Sequence, residues 1–291
     1  MKDFEDLNKS KNVVKKLNSN LSKDEIISEA FKLHSKGNIP EAVKYYQYFL
    51  AKGYQDHRVF WNYGVILKNL SKIKEAEKFV KKTIEIKPDF FTAYVLLGII
   101  MRDLNRLEDA EEFTRKAIEI EPSHSNAYAN LGLILKDLGK LDEAKEFTLK
   151  AIELQPDFSN AYYNLILILI DLGKLEEAED FANKLINIDP LYFDAYYIRG
   201  WCNFKLGVIS KNPDKFKAAE EFVLKAIEIK QDSAKTNYLL CQILSSLGKY
   251  SEALEEIKKL IQNDSQNHLY QAELSRLKFI LSEQNIEKKS Q

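Results

Sequence analysis

The sequence predicts an all-α fold, an array of repeated helix pairs, and three observations carry that prediction. Pro88, Pro122, Pro156 and Pro190 recur at intervals of 34 residues. The text before each proline recurs with it, as TIEIKP, AIEIEP, AIELQP and LINIDP, and KEAEKF, EDAEEF, DEAKEF and EEAEDF keep the same register. Composition agrees: 10 glycines and 6 prolines stand against 15 tyrosines and 16 phenylalanines in 291 residues. Few helix breakers beside many large side chains suit packed helices. A unit repeated at such a period cannot bury its apolar face alone and does so by stacking on its neighbours.

About seven copies are visible, beginning near Lys23, His57, Phe91, Ser125, Ser159, Phe193 and Ala234 and covering 23–267. In the third copy Tyr94, Leu97, Gly98 and Met101 stand at i, i+3, i+4 and i+7 and share one helical face. Gly98, without a side chain, lets a second helix approach, and the small Ala110 and Ala117 of that helix serve the same contact. Asn105, Gly139, Gly173, Gly207 and Gly248 fall just after the first helix of their copies, where a left-handed residue ends it. The proline then stops the second helix, and Asp89, Ser123 and Asp157 are placed to cap the next one. Pro40 falls at the start of a second helix, where its missing N–H costs little.

The sixth copy carries about seven extra residues, because Gln231 follows Pro190 by 41 rather than 34. They fall near Val208–Asp214 and are expected to extend the loop between the two helices. After the array, 268–282 predicts an amphipathic capping helix with Leu269, Ala272 and Leu274–Ile280 on its apolar side. Residues 1–22 form a polar, lysine-rich segment and 283–291 a tail expected to be disordered.

One copy reads Tyr128, Leu131, Gly132, Leu135, Ala144, Phe147 and Pro156. This order of aromatic, Leu-Gly, large residue, alanine, aromatic and proline resembles the tetratricopeptide repeat. The chain departs from the family pattern in one respect: Phe79, Phe113, Phe147, Phe181 and Phe222 follow the alanine by three residues instead of four. The resemblance implies a right-handed superhelical solenoid of about seven tetratricopeptide repeats. It also implies that the first helices line a concave groove that binds another protein or peptide.

On that resemblance the groove faces the fifth, sixth, ninth, twelfth and thirteenth position of each copy. The ninth positions are Phe31, Val65, Ile99, Leu133, Leu167, Trp201 and Gln242, and the fifth include Trp61, Tyr163, Tyr197 and Tyr238. These residues widen the apolar arc of the first helices beyond what one packing contact uses. Either a partner segment or the neighbouring first helices cover them. At the sixth position Asn62, Asn130 and Asn164, interrupted by Leu96 and Ile198, resemble the asparagine ladder of the array in O-linked N-acetylglucosamine transferases. There the amides hold a peptide backbone; elsewhere in the family asparagine is simply common at this position. The candidate peptide-binding groove is therefore Trp61, Asn62, Val65, Ile99, Asn130, Leu133, Tyr163, Asn164, Leu167, Tyr197 and Trp201. The first copy has Ile27 and Phe31 where the carboxylate clamp of chaperone-binding members needs Lys and Asn, which argues against a chaperone-tail adaptor.

Charge and motifs narrow the function further. With 43 basic and 44 acidic residues the chain lacks the basic excess of a nucleic-acid binder. No apolar stretch is long enough to span a bilayer and the N-terminus has no signal-like core, so a cytoplasmic protein without membrane contact is expected. Cys202 and Cys241 are too few for a disulfide framework and suit a reducing compartment. His34, His57, His124 and His268 are scattered, and no phosphate loop, nucleophile elbow or metal-ligand spacing occurs. The expectation is no enzyme, no cofactor and no metal, but a non-catalytic protein–protein interaction scaffold. Two alternatives stay open: an adaptor subunit serving a glycosyltransferase- or sulfotransferase-like enzyme in trans, and a structural homo-oligomer.

Overall fold

The computed structural model describes residues 21–290, which form fifteen α-helices and no strand among the described residues. The helices are α1 (Lys23–Ser35), α2 (Ile39–Ala51), α3 (His57–Asn69), α4 (Ile73–Ile86), α5 (Phe91–Asp103), α6 (Leu107–Ile120), α7 (Ser125–Asp137) and α8 (Leu141–Leu154). They continue as α9 (Ser159–Asp171), α10 (Leu175–Ile188), α11 (Phe193–Ser210), α12 (Pro213–Ile229), α13 (Ala234–Ser246), α14 (Tyr250–Asn263) and α15 (His268–Ser290). The chain divides into two compact units, Met1–Lys140 and Leu141–Gln291. Within each, consecutive helices pack against one another in chain order, the architecture of a helical-repeat protein.

The turns explain why the pairs recur. Gly139 (φ 75°), Gly173 (φ 72°), Gly248 (φ 75°) and Asn105 (φ 58°) are left-handed after their first helices, as expected, and Ser71 (φ 60°) joins them. The next residue closes the helix end: Lys140 N donates to the Leu135 carbonyl at 2.9 Å, Arg106 N to Met101 at 2.8 Å and Lys174 N to Leu169 at 2.8 Å. These six-to-one bonds are Schellman closures that satisfy the orphan carbonyls of the helix end. At the other end the caps differ from expectation. Phe90, His124 and Phe158 occupy the N-cap positions without side-chain caps, so Asp89, Ser123 and Asp157 sit one residue too early. Side-chain caps occur instead at Ser22, which forms a full capping box with Glu25, and at Asp56, which accepts from Arg58 N.

The helices of a pair cross where small residues meet. A Cβ on Gly98 would collide with the Thr114 hydroxyl and would lie 3.2 Å from the Ala110 carbonyl oxygen, closer than most packed Cβ contacts. Ala110, Ala144, Ala178, Ala219 and Ala253 are fully buried on the second helices. The fifth pair exchanges the volume: Ile166 stands where the second, third, fourth and sixth pairs have glycine, and it shares a core cluster with the small Ala182. Thr114 and Thr148 are buried with their hydroxyls donated 2.7 Å to the Ala110 and Ala144 carbonyls, so neither polar group is orphaned. The early second-helix aromatics remain useful: Phe79 packs 4.9 Å from Tyr63, and Phe181 6.2 Å from Tyr162.

Two further expectations are corrected. The extra residues of the sixth copy do not form a loop. They lengthen α11 to 18 residues and α12 to 17, and Gly207 lies inside α11 while Lys211 (φ 53°) takes the left-handed position. Helix α15 runs to Ser290, through 283–290 where a tail was expected. It docks through the fully buried Leu277 and through Tyr270 against Tyr238 at 5.3 Å, while Leu269 and Phe279 face outward. The polar segment 1–22 falls outside the described residues except for its last two positions.

Candidate functional site on the first helices

Position nine of a pair stands four residues from position five and three from position six, so the three share a face of the first helix beside the one that meets the second helix. All eleven candidate groove residues are half-buried, neither core nor free surface.

In the first unit this face is largely closed at the fifth position. Val95 and Ala129 are buried there, and the Trp61 ring meets Phe90 edge-on at 5.8 Å. Ile99 packs beside Val95 and Ala127. Val65 of α3 and Leu133 and Asn130 of α7 are half-buried. The Asn62 amide donates to the Arg58 carbonyl of its own helix at 2.8 Å, so that group serves α3 itself. At the rim Arg102 Nε reaches Asp137 Oδ2 at 2.5 Å and ties α5 to α7 through the twelfth and thirteenth positions.

The second unit has larger residues on the same face and a cavity of about 180 Å³ between them. Tyr163, Leu167 and Ile170 of α9, Asp194, Tyr197, Ile198 and Trp201 of α11, and Lys235 of α13 line it. Four of the eleven candidates, Tyr163, Leu167, Tyr197 and Trp201, are thus brought together; Asn164 lies beside them on α9 and does not line the cavity. Tyr163 is backed by Tyr192 at 5.9 Å, and Tyr197 stacks on Phe193 at 6.5 Å. Lys235 Nζ sits 2.9 Å from Asp194 Oδ1 and 4.4 Å from the Tyr197 ring centre, where the cation faces the ring's electron density. Burial raises the Tyr197 hydroxyl above the usual phenol range.

An apolar floor with aromatic walls and one ion pair at its end suits an apolar side chain held by a few polar contacts. The thiols of Cys202 and Cys241 are buried and pushed up to about 12 by that burial, which makes them packing groups and not nucleophiles. No group of three or more His, Cys, Asp or Glu among the described residues is arranged to hold a metal ion. No described helix is long and apolar enough to cross a membrane. Sequence reasoning missed Asp194 and Lys235 in the cavity wall. Their signal was available: opposite charges at the second position of consecutive copies, which places them on neighbouring first helices.

Comparison with known proteins agrees with the repeated helix-pair fold. Profiles described as tetratricopeptide repeat match residues 57–90, 91–124, 125–158, 159–190 and 234–267. No curated protein sequence matches the chain. Among solved structures, PilF of Pseudomonas aeruginosa superposes with a TM-score of 0.66 at 17% identity, covering 76% of this chain and 97% of that one. PilW, described as a widely conserved type IV pilus biogenesis factor, gives 0.66 at 18% identity, covering 77% and 99%. A tetratricopeptide repeat protein from Parabacteroides merdae gives 0.64 at 18% identity, covering 88% and 98%. At such identities the likeness is one of fold. The repeat profiles span more than half of the sequence in register with the observed helix pairs, and the chain belongs to the tetratricopeptide repeat family.

Proposed function

We propose that this protein is a non-catalytic interaction scaffold that holds a peptide or helical segment of another protein against its first helices. The observation that carries the reading is the cavity between α9, α11 and α13, an apolar recess on the face where stacked helix pairs leave side chains uncovered. A near-neutral chain supports a protein partner over a polyanion. The two buried free thiols suit the cytoplasm.

The test is a native pull-down with wild-type protein and with Leu167→Lys and Trp201→Ser variants whose helicity is checked by circular dichroism. A captured protein lost from both folded variants supports the groove. Capture unchanged in both overturns it. Self-association is a second reading, favoured by Phe279 (65% exposed) and Ile286 (60% exposed) at i and i+7 on α15. Light scattering on the purified chain decides it: a mass of one chain, 33.7 kDa, excludes the oligomer.

A further inference from the structure

The residues that interrupt the repeat register build an ordered projection. Helices α11 and α12 have 18 and 17 residues where α9 and α10 of the same unit have 13 and 14. Five extra residues carry the end of α11 about 7 Å further than its counterpart, at about 1.5 Å per residue. The extension is closely packed inside. Gly207 admits the Phe216 ring, which would lie 2.9 Å from a Cβ there, and Phe216 meets Phe204 at 6.0 Å. Asn212 N closes on the Gly207 carbonyl at 3.2 Å, and Asn212 Oδ1 accepts from Asp214 N at 2.9 Å.

The outer side is different. Val208 is 52% exposed and the adjacent Ile209 72%. Tyr197, Trp201, Lys205 and Val208 follow at helical spacing, and Lys205 Nζ lies 5.6 Å from the Trp201 ring centre, so they form one stripe. The stripe begins in the cavity and ends at the exposed aliphatic pair. Trp201 and Val208 are seven residues apart, about 10 Å or two helical turns. Asp194, the carboxylate that lines the cavity, is engaged with Lys235; beyond it Asp214 pairs with Lys217 at 3.1 Å, Glu179 with Lys215 at 3.0 Å, and Asp171 at the end of α9 has an interaction of its own. Among the described residues neither Lys205 on the stripe nor Lys211, the left-handed residue that follows α11, has a carboxylate within ion-pair distance, so the end of α11 carries two cations.

Building on the groove reading, we infer that the lengthened hairpin takes an acidic amphipathic helix of a partner protein lying along α11. One apolar side chain of that helix enters the cavity. A second, seven residues on, covers Val208 and Ile209, and carboxylates between them meet Lys205 and Lys211. Apolar anchors at helical spacing are how a groove reads a helix, and the lysines set its direction and its charge. A bilayer does not fit, because the stripe runs into a recess between helices that a flat surface cannot enter.

The experiment pans a phage-displayed library of random peptides, long enough for four helical turns, on the full chain. Enriched sequences are synthesised with a fluorophore and titrated by anisotropy. The expected peptides carry apolar residues seven apart with Asp or Glu between. Their affinity falls about ten-fold with Val208→Ser/Ile209→Ser, whose exposed positions leave the fold intact. It falls about ten-fold with Lys205→Glu/Lys211→Glu, and exchanging the peptide's acids for lysines restores it there. Peptides lost only with Leu167→Lys, and indifferent to the hairpin variants, overturn this inference and keep the groove. Peptides that bind Leu167→Lys as tightly as wild type, or no enrichment at all, overturn both.

Discussion

The third and sixth helix pairs solve one problem at two lengths. Both cross at a glycine: Gly98 opposite the Ala110 carbonyl at 3.2 Å, and Gly200 opposite the Ala219 carbonyl at the same distance. Both close the first helix with a left-handed residue that is not glycine, Asn105 in one and Lys211 in the other. Between the crossing glycine and the alanine facing it the sixth pair inserts seven residues, four before the left-handed residue and three after it, and the crossing is unchanged because the insertion lies wholly beyond it. The contacts between consecutive second helices survive as well. Arg106 reaches Glu77 at 3.1 Å from 29 residues away, and Lys215 reaches Glu179 at 3.0 Å from 36. The difference teaches that a repeat tolerates insertion where neither the crossing nor the stacking contact is displaced, and that the added length becomes surface.

Breaking the crossing produces the largest effect. Gly98→Val and Gly200→Val each force a side chain against backbone carbonyl, and each is expected to cost about 3 kcal/mol or more in urea unfolding. Gly207→Ala sharpens the contrast: its neighbour is the half-buried Phe216 ring, which can move, and alanine favours the helix by about 1 kcal/mol. A net change within about 1 kcal/mol is expected there, and a loss as large as at Gly200 would mean that the extension is core.

The left-handed residues rank next. Lys211→Gly removes the strain of a side chain at φ 53° and is expected to stabilise by about 1 kcal/mol. Asn105→Gly at φ 58° gains less, because asparagine tolerates that conformation, and equal gains would contradict the steric account. The thiol of Cys202, in α11 on the crossing side, is expected to resist a maleimide at pH 8 in folded protein and to react on urea unfolding. Labelling at native rates would show that the sixth pair opens.

The smallest effect concerns the ion ladder. The Glu77 carboxyl is held below its usual range, first by the hydrogen bond from Lys81 and then by the charges of Lys81 and Arg106 against the opposing effect of burial. A depressed folded value means stability present above the unfolded carboxyl range and lost as pH falls through the folded value. Glu77→Gln is expected to cost a few tenths of a kcal/mol at pH 7 and nothing at pH 2, in urea midpoints at both values. An equal loss at both pH values would assign the effect to packing.

The period of 34 determined the helix pairs, the glycine crossings and most of the turns, because each depends on residues close in sequence whose spacing matches a helical face. The same local logic found the aromatic row of α9 and α11. Tertiary structure decided what locality cannot. It turned the seven extra residues into helix, because Phe216 packs over Gly207 once the second helix lies alongside the first. It covered Val95 and Ala129 in one unit while leaving a recess at Tyr163 and Tyr197 in the other, since the exposure of a first helix depends on the size of side chains on its neighbours. It also joined Asp194 to Lys235 across 41 residues, a contact that exists only because stacked copies place equal positions side by side.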